Sequence, residues 1–266
     1  NAAIISVLSG TELKRHRAVG KTRALYLQRL AILSCRRYFI SVCRRRNWSI
    51  IIKVENGFIG NMNNNNAILF FVKYPEPGQV KTRLAASIGS AHAIALYQCF
   101  LDDLSATLAN SGHEVIVCYS PATTTTKEWA QHRFPFAKQF YAQRGSNLGE
   151  RMLSAFKFGF RAYEKLLLIG SDSPHLPVHI FNEAFDALEA FDAVIGPSMD
   201  GGYYLIGFRH KVVSKAFQNI NWSTNRVLTQ TQNALASENK SVHLLPEMLD
   251  IDEYDDLELF LSVADK

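Results

Sequence analysis

The sequence predicts an α/β fold built on a largely parallel sheet covered by helices on both faces. Two observations carry this. From Ala67 onward, short and mostly apolar runs alternate with longer amphipathic stretches, the pattern of strands joined by crossover helices. Residues with binding chemistry cluster directly after those runs, and in such folds ligands sit at the carboxyl ends of the strands.

Taken in order, the first strand is expected at 67–72 (AILFFV) and the first helix at 91–110. A strand at 114–119 (EVIVCY), a helix at 124–132 and a strand at 138–142 (KQFYA) follow. The helix expected at 147–163 opens with Asn147 three residues before Glu150, a capping-box-like spacing. Next come a strand at 165–169 (KLLLI), a helix at 177–190 and strands at 192–196 (DAVIG) and 203–208 (YYLIGF). A helix at 224–237, whose start follows Trp222-Ser223, a strand at 241–245 and a helix at 253–263 complete the pattern.

Composition sets the class. Of 266 residues, 47% are hydrophobic and 20% charged, as in ordinary globular proteins. The net charge of +5 is unevenly spread: residues 1–61 hold twelve basic and two acidic side chains, and the remainder hold 17 and 22. The later part is therefore mildly acidic, and the charge gives no reason to expect a nucleic-acid partner. Cys35, Cys43, Cys99 and Cys118 form no CxxC pair, which points to a reducing compartment and a cytoplasmic protein. No apolar run reaches the roughly 18–20 residues of a membrane-spanning helix, so no membrane partner is expected. The expected organisation is a basic N-terminal extension, 1–61, outside the fold, and a single domain over 62–266. Met62 is the expected start, with a transit peptide or a basic surface helix as competing readings of the extension.

Five segments carry candidate chemistry. After the first strand stands Lys73-Tyr-Pro-Glu-Pro-Gly78-Gln-Val-Lys81-Thr-Arg83. Its cations could clamp a diphosphate, with Gly78 letting the backbone approach; a solvated basic loop is the competing reading. It has neither P-loop nor Rossmann glycine spacing. After 165–169 comes Gly170-Ser-Asp172-Ser-Pro174-His-Leu-Pro177. A carboxylate at that strand end suits Mg²⁺ or Mn²⁺, which in turn bridge phosphates; a helix cap is the alternative, and His175 reads as structural or exposed rather than catalytic. Asp200-Gly201-Gly202 is either a loop approaching a ligand or a tight turn between strands. In Asp250-Ile-Asp252-Glu-Tyr-Asp255-Asp256, alternation puts Asp250 and Asp252 on one face, with Asp252 the candidate second metal ligand. Asp255 and Asp256 suit the first turn of a helix. The segment from Gln143 to Arg151 opens a helix whose N-terminus can face an anion or a nucleobase, making Asn147 and Arg151 candidate nucleotide contacts.

The ordered motifs K-x-P-x-P-G-x-V-K-T-R-L, G-x-x-L-G-E-R-M, G-S-D-S-P-x-L-P, D-G-G-Y-Y-L-I-G, W-S-T and D-I-D-x-x-D-D-L resemble a bacterial transferase family. Its members are described as radical-SAM/selenodomain-associated, or arsenosugar-biosynthesis, glycosyltransferases. The resemblance spans roughly residues 67–262. It implies the glycosyltransferase-A fold, a Rossmann-like three-layer α/β/α sandwich with a mostly parallel central sheet. It also implies a nucleotide-binding loop with Lys73, Gly78, Lys81 and Arg83, and metal ligands Asp172 and Asp252. Asn147 departs from the family, where Asp often precedes Leu-Gly-Glu-Arg. Gly201, Gly202 and Trp222 are candidate substrate contacts.

The expected function is a metal-dependent glycosyltransferase moving a sugar from a nucleotide-diphosphate donor to a small-molecule acceptor. Asp200 would orient or deprotonate the acceptor hydroxyl. The alternatives are a guanylyltransferase-like nucleotidyltransferase acting on a nucleoside triphosphate, and a nucleotide-binding protein without turnover.

Overall fold

A computed structural model describes residues 65–264; the expectations for residues 1–61 and for the boundary at Met62 lie outside them. Seven strands and seven α-helices are found among the described residues. They run β1 (Asn66–Lys73), α1 (Thr82–Ile88), α2 (Ser90–Ala109), β2 (Glu114–Ser120), α3 (Thr124–Arg133), β3 (Gln139–Ala142) and α4 (Leu148–Gly159). The chain continues through β4 (Lys165–Ile169), α5 (Val178–Ala187), β5 (Ala193–Pro197), β6 (Tyr203–Arg209), α6 (Val227–Ser237), β7 (Val242–Leu244) and α7 (Tyr254–Ala264). A 3₁₀ turn covers Ser214–Phe217.

One sheet, ordered β3-β2-β1-β4-β6-β5-β7, holds all seven strands. Its pairings are parallel except around β6, which runs antiparallel to both β4 and β5. Alternation along β1 shows why the sheet is covered twice. Ile68, Phe70 and Val72 pack with Leu101, Leu104 and Phe181, while Ala67, Leu69 and Phe71 pack with Met152, Phe156 and Phe217. A strand apolar on both faces is stable only between two layers of helices, and the three-layer sandwich follows. Phe156 is fully buried and meets Phe208 edge-to-face at 5.1 Å; its truncation to Ala would cost about 3–5 kcal/mol.

Most elements fall within a few residues of their expected positions. Two features differ. Residues 82–88 form a short helix, α1, absent from the sequence expectation, because Lys81 takes a left-handed conformation at φ 47° and Gly89 ends it at φ 85°. These two breaks leave only seven residues between them, too few to show a helical period. The antiparallel course of β6 was also invisible, since an apolar run does not state its direction.

Strand order locates the crevice. From β1 the chain builds outward through β2 to β3, then returns to place β4 on the other side of β1. The carboxyl ends of β1 and β4 therefore flank the point where the winding reverses, which is where an open α/β sheet presents its binding crevice.

Candidate functional site

Three chain segments meet at this point: the loop after β1, the loop after β4, and the stretch before α7. Their junction is the ammonium of Lys81, whose side chain is 2% exposed. It donates to Ile251 O at 2.8 Å and Asp252 Oδ1 at 3.0 Å, and it forms a short ion pair with Asp172 Oδ1. Lysine has three protons to donate, and all three are used. Burial alone would lower the Lys81 pKa, but the Asp172 and Asp252 charges outweigh it and hold the group above its ordinary value. Ile251 closes the knot by donating its N–H to Asp172 O at 3.0 Å.

Lys81 thus stands otherwise than the exposed phosphate cradle the sequence suggested: it is a buried strut that fixes two carboxylates. Arg83 remains available at the mouth. It is half exposed, donates to Glu253 Oε1 at 3.2 Å and lies 3.7 Å from Asp252 Oδ2. The Lys73 side chain is exposed at the end of β1, and Gly78 turns at φ 75° in an exposed loop.

Several residues hold the floor of the crevice. Tyr97 Oη accepts from Lys73 N at 3.0 Å and donates to Lys73 O at 3.2 Å, and Ser171 Oγ donates to it at 3.4 Å. Its burial pushes the phenol up to about 12. Gln143, past the end of β3, donates its amide to Cys118 O at 2.8 Å and Val72 O at 3.4 Å, tying the ends of β2 and β1. Asp250 accepts a short hydrogen bond from Ser173 Oγ. Burial, with the charges of Asp172, Asp200 and Asp252 added, raises Asp250 to about 7. Its alternation with Asp252 was the signal in the sequence that brings it here. Asp256 accepts from the N–H groups of Asp252 and Glu253 at 3.0 and 2.8 Å, the helix-start role expected of it. His175 packs against Phe260, and burial lowers its pKa.

Asp200 lies in the turn joining β5 to β6. Its Oδ1 accepts from Ser198 Oγ at 2.6 Å and Gly202 N at 2.8 Å, an Asx-type turn. Gly201 has φ 84°, and a Cβ there would fall 2.3 Å from Asn225 O. Gly201 therefore has a structural reason to be glycine, in keeping with the tight-turn alternative. Asp200 is exposed, and its charge acts on both Arg83 and Asp250.

The remaining candidates gather at the start of α4. Asn147 caps that helix, accepting from Glu150 N at 2.9 Å, while Glu150 reaches back to Ser146 N at 2.8 Å. This reciprocal bonding is a variant of the capping box. Arg151 Nε donates to Gly145 O at 3.2 Å. Trp222 lies against Gly149, where a Cβ would come within 2.8 Å of the indole. No hydrogen bond or ion pair links Asn147, Arg151 or Trp222 to the Lys81 cluster among the described residues.

The donor set can be tested against a hard divalent cation. Among the described residues no cluster of three or more His, Cys, Asp or Glu has metal-holding geometry. Asp172 and Asp252 supply two carboxylates, with side chains 41% and 33% exposed. Each gives one oxygen to Lys81, and neither second oxygen takes a hydrogen bond from the described residues. Mg²⁺ characteristically takes one or two carboxylates and completes its shell with water and substrate phosphates. The pair fits such an ion.

Fold and site together define a Rossmann-like α/β protein of the glycosyltransferase-A type, with an acid-and-cation cluster at its switch point. The chain belongs to the family described as "Uncharacterized protein conserved in bacteria (DUF2064)", whose model matches residues 103–224. It is 37% identical to a Desulfovibrio desulfuricans G20 protein provisionally described as a nucleotide-diphospho-sugar transferase, with a TM-score of 0.69 over 74% of this chain and 86% of that one. Two structures are similar in fold alone. One is 4-diphosphocytidyl-2C-methyl-D-erythritol synthase of Anaerococcus prevotii DSM 20548, at 10% identity, TM-score 0.52 and coverage of 76% and 96%. The other is a cytidylyltransferase of Leptospira borgpetersenii serovar Hardjo-bovis, at 15% identity, TM-score 0.50 and coverage of 74% and 85%. No curated protein matches the sequence, and no helix among the described residues is long and apolar enough to cross a membrane.

Proposed function

We propose that this protein is a transferase that binds a nucleotide diphosphate at the β1–β4 switch point and moves a sugar from it to a small-molecule acceptor. The observation that carries the reading is the convergence of Asp172 and Asp252, 80 positions apart, on one buried ammonium beside the exposed Arg83. Asp172 follows the carboxyl end of β4 and Asp252 precedes α7, so two distant segments present carboxylates at one point of the crevice.

In this reading Asp172 and Asp252 would hold Mg²⁺ or Mn²⁺. The ion would supply charge neutralisation for the departing diphosphate. Arg83 and Lys73 bind phosphate oxygens from the crevice mouth. Lys81 is a positioning residue: it sets the separation of the carboxylates. Asp200, its Oδ1 fixed by the turn, presents Oδ2 to take the proton of the acceptor hydroxyl. Gly201 and Gly202 shape the turn that carries it, and Trp222 forms the facing wall with the start of α4, where Asn147 and Arg151 border the nucleoside. The sequence features expect this chemistry in the cytoplasm.

The test is product analysis of the purified protein with a panel of nucleotide sugars and nucleoside triphosphates, with and without Mg²⁺ or Mn²⁺. Release of a nucleoside diphosphate from a nucleotide sugar supports the glycosyl transfer. Release of pyrophosphate from a triphosphate would instead assign nucleotidyl transfer to the same residues, and absence of both in a folded protein would overturn the reading.

A further inference from the structure

A cleft of about 470 Å³ borders the edge strand β3, with α3 on one side and α4 on the other. None of Lys73, Lys81, Arg83, Asp172, Asp200 or Asp252 lines it, so it is separate from the crevice at the switch point. Its charged lining is of one sign. Lys127 comes from α3, Arg144 from the loop after β3, Lys157 from α4 and Arg161 from the turn beyond it. No acid lines the cleft, and none of the four cations forms an ion pair among the described residues. Such a concentration is out of keeping with the rest of the fold, since residues 62–266 carry more acid than base.

The wall behind these charges is aromatic. Tyr141 and Phe158 stack with centroids 4.5 Å apart at 26°, Arg144 lies over the Tyr141 ring at 5.9 Å, and Tyr141 Oη and Ser154 Oγ are 2.6 Å apart. The rings are fixed from behind, so the wall exists before any ligand arrives. A scattered basic surface is solvated and binds nothing in particular. Here four cations from four chain segments, none ion-paired among the described residues, surround a concave, partly apolar cleft whose volume lies in the usual range of small-molecule sites, about 300–1,000 Å³. Cations of one sign around such a wall focus the field into the cleft, and two arginines offer forked donors suited to phosphate oxygens.

We propose that this cleft is a second binding site, for a small ligand carrying two or more linked phosphates. The charge requires the polyphosphate; four positive groups without an acid partner are matched by three or four negative charges. That group is shared by inorganic polyphosphate and by nucleoside polyphosphates, and only the latter would use the aromatic wall. The proposal does not depend on the reaction assigned to the switch-point crevice.

The experiment is titration calorimetry of the full chain in chelator, using tripolyphosphate and a nucleoside triphosphate as separate probes. Variants are Lys157→Ala/Arg161→Ala, its charge-conserving counterpart Lys157→Arg/Arg161→Lys, and Arg83→Ala as the control for binding at the switch point. The expected result is tripolyphosphate binding that weakens by about tenfold or more in the alanine pair, and survives in the charge-conserving pair and in Arg83→Ala. A nucleoside triphosphate bound more tightly than tripolyphosphate assigns the nucleoside source, and equal affinity assigns the inorganic one. Binding unchanged by Lys157→Ala/Arg161→Ala, or lost only in Arg83→Ala, overturns the proposal, as does the absence of binding of both probes by a protein of normal melting temperature.

Discussion

Lys81 Nζ lies 3.0 Å from Asp252 Oδ1, joining residues 171 positions apart in the chain. The same nitrogen reaches Asp172 and Ile251 O, so one buried charge ties the β1 loop, the β4 loop and the approach to α7. Lys81→Met would strand the Ile251 carbonyl and leave two carboxylates facing each other. Loss of one partner from a fully buried pair costs about 3–5 kcal/mol. The carboxylates here are partly exposed, so about 2–3 kcal/mol is expected in urea unfolding. A loss below about 0.5 kcal/mol would show that the strut is not structural.

Asp200→Asn separates geometry from proton transfer. An amide oxygen can still accept from Ser198 Oγ and Gly202 N, so the melting temperature should hold. The carboxylate that would take the acceptor proton is gone, and turnover should fall about 10²–10⁴-fold with little change in donor KM. Unchanged turnover would remove Asp200 from the chemistry.

Gly201→Ala tests the turn itself. At φ 84°, with Asn225 O 2.3 Å from the new Cβ, the backbone of one segment must move. The expected cost is about 1–3 kcal/mol, read as a lower midpoint in denaturant, whereas a neutral result would mean that the turn relaxes freely.

Asp192 gives a pH dependence. Its carboxyl is held below the ordinary value of 3.8, first by the Lys240 hydrogen bond and then by Ser241 N. These contacts pin the start of β5 beside β7, with Lys240 Nζ at 2.9 Å and Ser241 N at 3.0 Å. A depressed folded pKa contributes stability above the unfolded value, lost as pH falls through the folded one. Asp192→Asn should therefore lower stability by about 0.5–1 kcal/mol at pH 7, and the gap to wild type should close below pH 3.8. A gap independent of pH would mean that charge is not its source.

Much of this molecule was legible in the sequence, for definite reasons. The strand from Ala67 to Val72 is apolar on both faces, which only a doubly covered sheet accommodates, and Asp172 follows a strand end marked by Ser and Pro. The placement of Asp172 and Asp252 beside each other was an expectation from motif order, and the ion pairs to Lys81 bring them to one point. What did not show was burial. Lys81 and Arg83 look alike in a basic loop, yet one is a strut and the other faces water, because the acids that decide it lie about 90 and 170 positions downstream. The β3 cleft was hidden for the same reason: Lys127, Arg144, Lys157 and Arg161 are dispersed over 35 positions and converge only when α3 and α4 flank the sheet edge.

A nucleotide diphosphate bound beside Asp172 and Asp252 is central to the proposed function. The most direct measurement is the melting temperature of wild type and Asp172→Asn with nucleoside diphosphates and Mn²⁺, singly and together. A ligand at a hundred times its dissociation constant adds about 2.7 kcal/mol, a shift of about 5–10 °C for a domain of this size. That shift is expected in wild type only when nucleotide and Mn²⁺ are both present, and is expected to be lost in Asp172→Asn. An equal shift in the variant, or none in wild type with any nucleotide, would rule out metal-dependent nucleotide binding through Asp172.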